Sequence, residues 1–402
     1  MSSNAEQTDP LIVFADDWGR HPSSCQHLVR RLLGDHAVTW VNTIGMRPPR
    51  PDRATARRVA RKLRGWARPA ATAAGPAGPA PTVVEARMWP WFRSSFDRAL
   101  NRELLARQLM SRIAAMPRPP VVVTTVPVVA DLIGRLPVAR WVYYCVDDFG
   151  TWPGLDREAM GVLDGRLIRS ADVLIAAGEA LRERLGRLGR ESHLLTHGVD
   201  LGHWAVGPEV VLPRVDALEP PLVVFWGLVD RRTDAGFVRA LDSALPAGTI
   251  VLVGPADDPD PSLGQLRRVV RLPAMPYDHL PALARRASVL IMPYADLPVT
   301  RAMQPLKLAE YMATGRPVVA RRLPAMRPWA DAIDLAETPE DFAAAVRLRI
   351  QTGLPEPQRR ARDRLGAEGW PAKARLFEDW AFGPRPGRAG SDAGDRIGSR
   401  SS

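Results

Sequence analysis

The sequence predicts an α/β protein built from two consecutive parallel-sheet domains that face a central cleft. Short apolar runs of strand length alternate with helix-length amphipathic segments along most of the chain, the pattern of parallel sheets covered by helices. The alternation lapses once after Asp200, where Pro208, Pro213, Pro220 and Pro221 mark a connector, and then resumes. The chain has 402 residues, 46% hydrophobic and 25% charged, which is enough for two or three domains with their own cores and unlike a disordered chain.

Taken in order, Leu11 to Ala15 is a buried-strand run, followed by a polar loop and a helix through Leu28, Leu32 and Leu33. Further strand runs fall at 38–41, 83–84, 121–125, 139–144, 173–176 and 193–195, with helices near 96–116 and 156–170. The Pro/Ala/Gly stretch 69–81 reads as a flexible surface insertion. These elements place the first domain at 9–205. The second domain, 206–382, has strand runs at 222–225, 250–253, 269–272, 289–292 and 318–320. Its helices are expected near 234–245, 278–286, 306–314, 339–350 and 356–365, with a closing C-terminal helix. Residues 383–402 lack apolar periodicity and are expected to be disordered.

Several classes are excluded. The apolar stretch 120–134 is broken by Thr124, Thr125, Pro127 and Asp131, so no run supplies the roughly 20 apolar residues of a membrane span. The start, MSSNAEQTDP, lacks a basic-then-apolar profile, giving the expectation of a cytosolic protein. Cys25 and Cys145 alone support neither a disulfide scaffold nor a cysteine zinc site. Charge is less neutral: 55 basic against 44 acidic residues give +11, and Arg47 to Arg68 holds nine basic residues and one acid, Asp52. Within it Val59, Leu63 and Trp66 recur at helical spacing, which describes a basic amphipathic helix suited to an anionic membrane surface. Phosphates of a nucleic acid would attract the same patch, and a solvated helix packed on its own domain is the bland account of it.

In open parallel sheets ligands bind beyond the carboxyl ends of the strands. The most informative segment there is Met303 to Ala320, MQPLKLAEYMATGRPVVA. A Pro-opened helix is followed by Gly315 at its C-terminal cap and then by a strand. A helix N-terminus favours phosphate. Lys307 in its first turn adds a point charge, and Glu310 one turn on is placed to accept from sugar hydroxyls. Lys62, Lys307 and Lys373 are the only lysines in a chain rich in arginine, so a lysine retained here carries weight.

This segment resembles the donor-site motif of GT-B glycosyltransferases, in particular the family 4-like group of bacterial surface-polysaccharide synthesis. Asp16 to Leu28, Tyr143 to Gly154, His197 to Asp200 (HGVD), Phe225 to Asp234 (FWGLVDRRTD), Val251 to Pro255 and Tyr277 to Pro281 resemble further elements of that group in the same order. The resemblance implies two Rossmann-like domains and a nucleotide-sugar donor held by the second. It implies an acceptor, glycan or lipid-linked, held by the first, with no metal and no cofactor. The implied donor residues are Gly227, Arg231, Arg232, Gln304, Leu306, Lys307 and Glu310. Gly19, His197 and Gly198 line the cleft, and Asp147 and Asp148 are the candidate bases. Two departures stand out. The glutamate usual eight residues before the one matched by Glu310 is Ala302 here, and Asp147 followed by Asp148 stands where many retaining members carry histidine before aspartate. Stereochemistry is left open. The expected protein is a cytoplasmic glycosyltransferase, peripheral on the inner face of the membrane through 47–68. Its competitors are a nucleic-acid-binding protein and, in the same fold, an epimerase or phosphorylase.

Overall fold

A computed structural model describes residues 9–19, 23–47, 71–72 and 79–383. The basic segment after Arg47 and the tail beyond Gly383 lie outside the described residues.

The first domain carries an eight-stranded sheet of β1 (Leu11–Ala15), β2 (Val38–Asn42), β3 (Ala71–Thr72), β4 (Thr82–Glu85), β5 (Val121–Thr124), β6 (Arg140–Cys145), β7 (Val173–Ala176) and β8 (His193–Leu194), in the order β3-β4-β2-β1-β5-β6-β7-β8. All pairings are parallel except β3 with β4. The central strands are continuous apolar runs, LIVFA in β1 and VVVT in β5, buried throughout because helices cover both faces. One correction falls at the edge: Ala71 and Thr72, expected within a flexible insertion, pair antiparallel with β4.

The second domain opens with β9 (Leu222–Trp226), and β10 (Val229–Asp230) pairs apart with β12 (Ala256–Asp257). The main sheet adds β11 (Thr249–Val253), β13 (Val269–Leu272), β14 (Val289–Met292), β15 (Val318–Arg321) and β16 (Asp334–Ala336). Its order is β13-β11-β9-β14-β15-β16, all parallel. The succession runs outward from β9 in both directions, so β9 and β14 flank a topological switch point, where crossing helices diverge and leave a crevice. The segment expected as one helix at 356–365 is an α-helix, Glu356–Ala361, that tightens into a 3₁₀ turn over Arg362–Glu368.

A second correction concerns the last helix, Trp370–Phe382. It follows the second domain in sequence, but Trp370, Ala374, Phe377 and Ala381 join the first domain's apolar core. The chain crosses back at a parallel bridge between Val199 and Gly369. Lys373 ties the crossing, its Nζ 2.6 Å from Glu368 Oε2 and donating to Thr196 Oγ1 at 2.8 Å. Trp370 stacks on His27 with centroids 4.6 Å apart. Further along, His36 bonds Glu378 at 2.9 Å, and Arg140 donates to the carbonyl of Ala381.

Candidate active site

The loops leaving β9 and β14 meet at the switch point. Asp234 N–H donates to the Pro293 carbonyl at 2.8 Å, and Ala295 N–H donates to that of Arg232 at 2.7 Å. The floor is glycine. Gly227 has φ +148° and donates to the Val253 carbonyl, while Gly254 has φ +145°. A Cβ on Gly254 would lie 1.9 Å from the Gly227 oxygen, so only residues without side chains let the two turns cross. Above Gly227 lies the Lys307 stem. A Cβ on Gly227 would stand 2.6 Å from Lys307 Cε and 3.2 Å from its Nζ.

Lys307 belongs to the first turn of the helix Leu306–Ala313, which no side chain caps. Tyr311 pins that helix to the end of β9, its hydroxyl accepting from Trp226 N–H at 2.8 Å. Glu310 is 5% exposed, and burial pushes its carboxyl up to about 7, with Lys307 acting against the rise. The Tyr277 hydroxyl donates to it at 3.4 Å. A helix terminus aimed at the crevice, a lysine over a bare glycine turn and a buried carboxylate one turn behind make a donor set suited to a phosphorylated, hydroxyl-bearing ligand.

The first domain closes on this site. Gln304 packs so tightly on Gly178 that a Cβ there would stand 3.2 Å from Gln304 Cβ, and Leu306 and Ala302 rest against the first domain's core. Ala302, at the position of the missing glutamate, is thus part of an apolar interdomain contact. The nearest acid in sequence, Asp296, is held by Arg301 at 2.5 and 2.7 Å. Burial lowers His197 to about 4, with the backbone hydrogen bond to Gln304 acting against it and Lys373 and Lys307 adding to it, so the ring is a neutral imidazole at neutral pH.

The two aspartates after β6 have different surroundings. Asp148 lies 3.7 Å from Arg184, whose guanidinium also holds the fully buried Asp164 at 2.5 Å, and Asp164 accepts from Tyr143. That network makes Asp148 a structural partner. Asp147 faces Arg232 across the cleft. Burial pushes its carboxyl up to about 7, Arg232 pulls it down and Asp148 adds a smaller push upward. Arg232 is itself anchored, bonded to Asp230 through Nε at 3.0 Å, with its guanidinium 4.7 Å from the Trp152 ring.

Three sequence candidates fall elsewhere. Arg231 is exposed and paired with Asp258 at 2.8 Å, away from Asp147. Gly198 lies beneath Trp370, where a Cβ would be 2.7 Å from the indole, so its smallness serves the chain crossing. Gly19 has φ +74° and donates to Gln26 Oε1 at 3.0 Å, shaping the exposed turn after β1. Sequence reasoning misses Trp152, although it lies inside the aromatic motif after β6, and the Arg184–Asp164–Tyr143 network, whose members are remote in sequence. Among the described residues no group of three His, Cys, Asp or Glu is placed to hold a metal ion.

Residues 220–351, which carry the glycine floor and the Lys307 helix, match the family model described as glycosyl transferases group 1. The chain has the GT-B fold, and its C-terminal domain carries the match to glycosyl transferases group 1. The GT-B architecture is shared with sucrose-phosphate synthase from Thermosynechococcus elongatus (TM-score 0.66, 16% identity, 92% of this chain and 98% of that one). It is shared too with Anabaena Alr3699/HepE in complex with UDP-glucose (TM-score 0.62, 13% identity, 92% and 99%). In sequence the chain is similar to TuaH of Bacillus subtilis (strain 168), named for teichuronic acid biosynthesis. The two are 27% identical over 203 residues, 47% of this chain and 51% of TuaH. The match thus spans about half the length of that curated relative.

The buried Glu310 gives a stability test. Its folded-state value near 7 exceeds the ordinary 4.5, so the folded state holds the proton more tightly and wild type loses stability as pH rises from about 4.5 to 7. Glu310→Gln is expected to match wild type near pH 4 and to exceed it by roughly 3 kcal/mol above pH 7 in urea unfolding, since each tenfold gain in proton affinity on folding is worth about 1.4 kcal/mol. A difference independent of pH would show that Glu310 is not buried as described.

Proposed function

We propose that the protein transfers a sugar from a nucleotide-sugar to an acceptor of cell-surface polysaccharide assembly. The observation that carries this is Lys307 lying over the Gly227 turn at the switch point, a cation and a helix terminus converging over a turn without side chains, the chemistry that suits a diphosphate. The UDP and UDP-glucose named with similar folds support a uridine-nucleotide donor, and the TuaH likeness supports a polysaccharide or lipid-linked acceptor. In this reading Lys307 and the amides of its helix stabilise charge developing on the leaving diphosphate. Glu310 accepts hydroxyl hydrogen bonds from the donor. Asp147 takes the proton of the attacking hydroxyl, its raised value near 7 suiting a general base at neutral pH, while Arg232 holds its orientation.

The reading includes work at an anionic membrane. The arginine-rich segment beyond Arg47 lies outside the described residues; among those described, Trp89, Trp91 and Phe96 are 39, 42 and 69% exposed, with Arg93 close to them in sequence, and support a docking face. Amphipathic aromatics flanked by arginine favour the headgroup layer.

Two experiments check these roles. With a nucleotide-sugar that raises the melting temperature, Asp147→Asn is expected to lower kcat by about 100-fold or more and to change donor Kd less than about threefold. Wild-type turnover rises with pH through about 7 as Asp147 ionises. Near-normal turnover in that variant would refute the base assignment, and the absence of a melting shift with any nucleotide-sugar would refute the donor reading. Sedimentation with anionic vesicles should fall on substituting Trp89, Trp91 and Phe96 by serine; unchanged sedimentation would rule this face out.

A further inference from the structure

The turn that carries Arg232 is fixed at every point. Thr233 N–H closes it on the Asp230 carbonyl at 2.9 Å, and the Asp230 carboxylate accepts from Arg232 N–H at 2.9 Å. The bonds from Asp234 to Pro293 and from Ala295 to Arg232 hold the same turn against the loop after β14. The side chain is fixed as well. Its Nε and Nη2 each lie 3.0 Å from Asp230 Oδ2, and the guanidinium rests on the Trp152 ring of the first domain. Asp230 is buried and the Arg232 side chain nearly so.

The charge at the cleft follows from that geometry. A guanidinium shielded from water acts strongly on any carboxylate near it. Arg232 has two such neighbours: Asp230, which takes its hydrogen bonds, and Asp147 on the other domain, which feels its charge. With Asp230 in place the pair presents little net charge to Asp147. Without Asp230 a whole cation would face Asp147 alone and hold that carboxyl ionised. The other groups around Asp147 come mostly from its own domain. Asp148 shares its turn and pairs with Arg184, and burial pushes the Tyr144 phenol and the Cys145 thiol up, so both stay neutral at neutral pH. From the second domain Tyr294 acts on Arg232.

We infer that Asp230 is a positioning residue for the proton transfer: it holds Arg232 on Trp152 and takes up most of that cation's charge, which leaves Asp147 free to bind and release a proton. The inference rests on the general-base reading of Asp147 only for its consequence in turnover, whereas the charge arrangement stands on the contacts themselves. The probe is the Asp147 carboxyl, followed by carbon NMR of the full chain labelled at its aspartate carboxyls, with the resonance recognised by its loss in Asp147→Asn. The wild-type midpoint is expected at about 7. Asp230→Asn, which keeps an oxygen for Arg232 N–H, should lower the midpoint by about one pH unit or more, and Arg232→Met should raise it by about half a unit or more. An unmoved midpoint in Asp230→Asn, or shifts of the same sign in the two variants, would overturn the inference. If Asp230→Asn loses its cooperative melting transition, Arg232→Met decides alone, and a midpoint at or below that of wild type overturns it. In turnover followed across neutral pH, the half-maximal point is expected to move with the carboxyl in both variants. Carboxyl midpoints that move as described beneath an unmoved turnover profile would sink the general-base reading and leave the charge arrangement standing.

Discussion

The relation between the two domains depends on one seam, where the chain returns to the first domain between Thr196 and Lys373. Val199 and Gly369 pair in parallel, Gly198 makes room for the Trp370 indole, and Lys373 joins Glu368 to Thr196. The last helix then enters the first domain's core, where Trp370 and Phe377 are buried, so the returning crossing is fixed to that domain. That seam holds two switch-point sheets face to face and leaves the crevice between them as the place for a ligand.

The crevice acquires its chemistry from how each domain ends its strands. In the second domain the crossing of Gly227 and Gly254 removes side chains from the floor and lets Lys307 lie over it. In the first domain the turn after β6 presents Asp147 toward Arg232 while tying Asp148 into the Arg184 network. Two of the chain's lysines have places of their own: Lys307 stands at the floor of the crevice and Lys373 in the seam. A compact ammonium fits each place where a planar guanidinium would need more room.

Much of this is legible in the sequence because it is local or periodic. Strand runs, the connector and the helix opening at Leu306 follow from apolar spacing and from proline and glycine placement, and Lys307 and Glu310 share a helix face through their three-residue offset. Long-range features are not legible in that way. Arg231 and Arg232 are neighbours in sequence, but they are the central residues of a turn closed by Thr233 N–H on the Asp230 carbonyl, and one meets solvent and Asp258 while the other meets Trp152. Gly198 reads as a cleft glycine because its partner Trp370 is remote in the chain. The last helix reads as part of the domain it follows, although its apolar face fits the other core. Asp147 and Asp148 part because Arg184, brought by a distant helix, stands beside Asp148, while Asp147 is buried toward Arg232 of the other domain.

The central claim is that a nucleotide-sugar is held over Gly227 by Lys307. Calorimetric titration of UDP-glucose into wild type and Lys307→Ala tests it most directly. A charge-assisted hydrogen bond contributes about 1.5 to 3 kcal/mol, so the variant is predicted to bind roughly 10- to 100-fold more weakly with its fold unchanged by circular dichroism. Equal affinity in the two proteins would contradict the claim and would leave Lys307 a surface cation.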